Sequence, residues 1–115
     1  KNISNLNAKW IAINSLFYDG PLDILIHIRD LENNKIKDDN PDADFNIHSL
    51  QNTKKILKKY GYKVVKINNF FPSTKLKKNS KGRGSYTIKT EFNKNTVFTG
   101  PVHLPWYFIL AKKIK

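Results

Sequence analysis

Few kinds of chemistry are open to this 115-residue chain, and several are closed at once. It has no cysteine, so thiolate metal sites, cysteine nucleophiles and disulfides are excluded together. His27, His48 and His103 are scattered, and they form neither a triad pattern with Ser and Asp nor a metal-ligand spacing. The segment DDNPDADFNIHS at 38–49 imitates a calcium loop of the EF-hand type. Ala43 stands where its sharp turn needs Gly, and Ser49 where a bidentate Glu belongs, so calcium is rejected. The GRG triplet at 82–84 follows a lysine-rich loop and leads into a strand. A phosphate-cradling turn leaves a strand and opens a helix, so GRG is not a cofactor fingerprint.

What remains is charge and aromatic surface. The net charge is +12 and its layout is uneven. Eight of the nine acids lie between Asp19 and Asp44, whereas residues 54–83 hold eleven Lys or Arg and no acid. Such a field is suited to RNA or DNA. The candidates for phosphate contact are Lys75, Lys77, Lys78, Lys81 and Arg83, with Tyr86 or Phe92 for base stacking. Part of the same run sits on the outer face of a predicted helix, where lysine is ordinary.

Stepping from side chains to the elements that hold them, residues 9–17 read as a strand because Trp10, Ile11, Ala12 and Ile13 are apolar without a break. Such a run marks a strand covered on both faces. Pro21 opens a predicted helix over 21–33, with Leu22, Leu25, Ile26 and Arg29 at helical spacing. Residues 34–48 read as an acidic connection. A second helix begins after Ser49, buries Leu50, Thr53, Ile56, Leu57 and Tyr60, and stops at Gly61. Residues 62–70 form the next strand, 85–100 a hairpin turning at 93–95, and 105–113 a closing strand again apolar on both faces. The expected class is α/β.

KWIAINSLFYDG, SLQNTKKILKKYGYKVVKINNFFP and GRGSYTIKTEFNKNTVFTGPVHLPWYFILAKK, in this order, resemble the C-terminal half of a class I S-adenosylmethionine-dependent methyltransferase. The resemblance implies a doubly wound Rossmann-like sheet with a hairpin and an antiparallel last strand inserted between two others. It also implies that 1–115 is one partial domain. The cofactor, S-adenosylmethionine, would then be held mainly by residues upstream, and this segment would build the side facing a methyl acceptor. Ligands of open α/β sheets bind beyond the carboxyl ends of strands. That rule selects Phe17, Tyr18, Asp19, Phe70, His103 and Trp106 as acceptor-site candidates, with His103 or Asp19 as a base.

No apolar run approaches the roughly 20 residues of a membrane-spanning helix, and no signal-peptide pattern opens the chain. A cytoplasmic, cysteine-free protein is the expectation. An incomplete sheet would also leave an exposed edge prone to self-association.

Overall fold

The computed structural model describes residues 5, 7–29, 43–79 and 84–114. β1 (Trp10–Tyr18) forms where the apolar run predicted a strand. A tight turn follows, in which the Gly20 amide donates to the Tyr18 carbonyl at 2.9 Å. The Tyr18 ring lies against Gly20, and a Cβ built there would meet Tyr18 Cε1 at 2.2 Å.

The next segment departs from expectation. Residues predicted as a helix from Pro21 form β2 (Ile24–Ile28), and the acidic connection yields β3 (Ala43–Ser49). These two strands pair antiparallel in the register Ile24↔Ile47 to Ile28↔Ala43. The physical reason is visible in the residues: Ile24, Ile26 and Ile28 are β-branched at a period of two, which favours a strand over the helical spacing of Leu22, Leu25 and Ile26. Residues 30–33 of the predicted helix lie outside the described residues. His27 Nδ1 and Asp44 Oδ1, directly opposite in the ladder, are 2.6 Å apart.

α1 (Leu50–Lys59) starts where Ser49 caps it, the Asn52 amide donating to Ser49 Oγ at 3.1 Å. Ser49 Oγ in turn donates to the Gly20 carbonyl at 2.6 Å, and the Ser49 amide donates to Asp23 Oδ1 at 2.5 Å. One serine therefore pins the β1–β2 turn to the helix start. Leu50 and Leu57 are buried as predicted, while Ile56 and Tyr60 remain exposed. The helix ends at Gly61, whose φ of 82° is the left-handed conformation that glycine adopts without strain.

β4 (Tyr62–Asn69) follows, then β5 (Ser85–Lys89), β6 (Asn95–Thr99), β7 (Val102–Leu104) and β8 (Trp106–Lys113). β7 lies between Pro101 and Pro105, a short strand that the two prolines concealed in the sequence. β5, β6 and β7 make a three-stranded antiparallel sheet, and the other five strands form a mixed sheet in the order β2-β3-β1-β8-β4. β8 pairs antiparallel with both β1 and β4, so those two run parallel to each other across it.

The expected doubly wound Rossmann-like fold is not formed. Among the described residues eight strands accompany one helix, and a doubly wound sheet requires helices on both faces. α1 covers one face of the mixed sheet, where Phe17, Leu50, Leu57, Tyr62, Ile109 and Ala111 form a core. On the opposite face the small sheet covers only one end, through a second cluster of Leu16, Ile47, Val97 and Leu104.

Candidate nucleic-acid interface

Antiparallel partners point to the same side of a sheet, so the registers of β1, β8 and β4 fix what the uncovered face presents. Its first row across the strands is Trp10, Lys112 and Lys63; its second is Ala12, Leu110 and Lys66; its third is Asn14, Phe108 and Asn68. In the fourth, Leu16 opposite Trp106, the cover of the small sheet begins. A β-bulge between Val64 and Lys66 brings Lys66 onto this face.

Trp10 is 46% exposed and Phe108 is 42% exposed, large values for aromatic side chains in the interior strands of a sheet. Phe70 extends the aromatic surface, packing edge-to-face on Phe108 with ring centroids 5.3 Å apart. Lys112 holds its Nζ over the Trp10 ring, 5.4 Å from the centroid, a cation–π contact on the same face. Lys63, Lys66 and Lys112 are exposed, and none of β1, β4 and β8 contains an acid. The result is a flat aromatic and aliphatic surface bordered by positive charge.

Beside this face, where the two sheets meet, lies a cleft of about 90 Å³ that Phe70, His103 and Trp106 help to line. Three of the six acceptor-site candidates therefore do come together, in a space that holds a few waters but no nucleoside. The His103 ring lies 5.2 Å from that of Phe98. The other three are elsewhere: Phe17 is 2% exposed in the core under α1, and Tyr18 and Asp19 are exposed at the β1–β2 turn. Phe17 fills its place by packing, with Tyr107 edge-on at 6.4 Å.

The basic-loop candidates fare differently again. Lys75, Lys77 and Lys78 are exposed on the segment that follows Phe70. That segment is tied to β5, the Leu76 amide donating to Thr87 Oγ1 at 2.9 Å and the Thr87 amide to the Leu76 carbonyl at 3.0 Å. Lys81 and Arg83 lie outside the described residues. Of the two stacking candidates, Tyr86 is committed internally. It stacks on Phe98, and its hydroxyl donates to the Gly100 carbonyl. Phe92 is exposed at the hairpin turn, away from any aromatic neighbour among the ring contacts described.

Trp10, Phe108 and Lys112 escaped the sequence reading, and Lys63 and Lys66 lie within its basic field at 54–83 without being singled out as contacts. The signal was present as lysines interleaved with apolar residues on two strands, but it was absorbed into the idea that both strands were covered on both faces. Among the described residues no three His, Asp or Glu side chains gather as a metal site, and no helix is long and apolar enough to cross a membrane. Compared with known protein families, curated proteins and solved structures, the chain matches none of them.

Proposed function

We propose that this protein binds single-stranded RNA or DNA on the uncovered face of its mixed sheet, in the cytoplasm. The observation that carries the reading is the pairing of exposed Trp10 and Phe108 with Lys63, Lys66 and Lys112 on one face of β1, β4 and β8, three strands without an acid. Every nucleobase has a π-face, so exposed aromatic rings accept bases without regard to sequence, at about 1–3 kcal/mol per stacked base. Lysines at the border supply the phosphate contacts, which make binding salt-dependent. The flat surface suits splayed single-stranded bases. An element made to enter a duplex groove would be a protruding helix or ribbon. Lys75, Lys77 and Lys78, on the segment leaving the Phe70 corner, extend the positive border.

The test is fluorescence anisotropy with a labelled ten-nucleotide oligouridine and its deoxythymidine counterpart, at two salt concentrations. Affinity is expected to fall steeply with salt and to drop further in W10A/F108A. Unchanged affinity in that variant would reduce the binding to general polycation attraction and remove the proposal.

A second reading, the acceptor side of an S-adenosylmethionine-dependent methyltransferase, is favoured by one observation: β8 lies antiparallel between two strands that are parallel to each other. Among the described residues Gly84 leads directly into β5, and no glycine-rich turn joins a strand to α1. The cofactor would have to be held by residues outside this chain. Here the informative variants are His103→Ala and Trp106→Ala. Under this reading they lower methyl incorporation when the chain is joined to a cofactor-binding half, and under the first they leave oligonucleotide affinity nearly intact.

A further inference from the structure

Among the described residues β4 is the last strand of the mixed sheet, and its outer edge meets no other strand. Next to that edge, on the α1 side, runs a groove of about 600 Å³ with Val64, Val65 and Ile67 in its floor. Val65, the extra residue of the bulge, is 48% exposed. Lys54 and Lys58, one helical turn apart on α1, rim the groove from above, and Lys63 and Lys66 flank it along the strand. No acid lines it, and none of these four lysines pairs with a carboxylate among the described residues.

The two sides of β4 differ in a way that selects an occupant. Val64 and Ile67 point to the α1 side with their partners Ala111 and Ile109, whereas Lys63 and Lys66 point to the open side with Lys112 and Leu110. A strand laid along this edge would meet Val64 and Ile67, with Lys54 and Lys58 at their rim, on one face and Lys63 and Lys66 on the other. A second copy of the chain is a poor match, since pairing two β4 edges would set Lys63 and Lys66 of each against their equivalents in a molecule of net charge +12. Lysines and a bulge are devices that discourage indiscriminate edge pairing, and they leave an acidic strand as the complementary partner.

We propose that the β4 edge accepts an extended peptide of alternating apolar and acidic residues as a sixth strand. Its apolar side chains would lie on Val64 and Ile67, and its carboxylates beside Lys63 and Lys66. The probe is an eight-residue Val-Glu alternating peptide, titrated into ¹⁵N-labelled protein. Amide shifts and slowed hydrogen exchange are expected across residues 63–69, with at least about tenfold weaker binding to K63E/K66E. A version of the peptide with alternate amides N-methylated should not bind, and W10A/F108A should retain peptide affinity within about twofold. Absence of binding, equal binding of the methylated peptide, or shifts centred on Trp10 and Phe108 would each overturn the proposal.

Discussion

On β8, Ile109 and Phe108 are adjacent, yet Ile109 is 1% exposed and Phe108 is 42% exposed. The same contrast runs through β1, where Ile13 packs against the core under α1 while Ala12 and Trp10 face outward. Both sides of these strands are built from apolar residues, but among the described residues α1 covers one side, while on the other the small sheet reaches only the end at Leu16. An apolar side chain reports that a surface is suited to being covered. What covers it, whether helix, sheet or ligand, is a separate matter, and here the open side adds lysines that a buried face could not hold.

Breaking the covered side should have the largest effect. Ile109→Ala removes a buried side chain from the α1 core and should cost about 2–5 kcal/mol of stability by urea unfolding. On the open side the loss should appear in binding. Trp10→Ala and Phe108→Ala should each weaken oligonucleotide affinity by roughly tenfold or more, read by anisotropy. Loosening the cover itself is a milder perturbation. Ser49→Ala deletes the helix cap and the bond to the Gly20 carbonyl, and should lower stability by about 1 kcal/mol, with thermal unfolding as the measure. The smallest effect sharpens the comparison most: Phe108→Ala alone should shift unfolding stability by only about 0.5–1 kcal/mol. A cost as large as that of Ile109→Ala would mean that the two sides are equally buried in solution.

The legible parts of the fold were those in which local chemistry agrees with tertiary context. Ser49 and Gly61 marked α1 to within a residue, because a side-chain cap and a left-handed stop act locally. β1, β4, β8 and the β5–β6 hairpin followed from apolar runs and turn residues. β2 and β3 did not: 22–29 carries both a helical spacing and the period-two run Ile24, Ile26 and Ile28, and the pairing that decides between them spans residues 29–42. β7 was hidden for a related reason, as three residues between prolines become a strand only beside β6. The expected helices over the second face followed from taking apolar content as proof of cover. The same reading hid the candidate interface, because it buries Trp10 and Phe108 in a core that no element among the described residues completes.

β8 joins β1 to β4, so an interior strand of the mixed sheet is supplied by the element farthest along the chain. β1 can find its principal neighbour only after roughly ninety intervening residues have been made, as in the pairing Leu16↔Trp106. Assembly of the sheet is therefore dominated by distant partners, the condition under which folding is slow. During synthesis the apolar flanks of β1 and β4 wait for β8, and Lys63 and Lys66, already present on β4, are charges of the kind that oppose premature association between nascent chains.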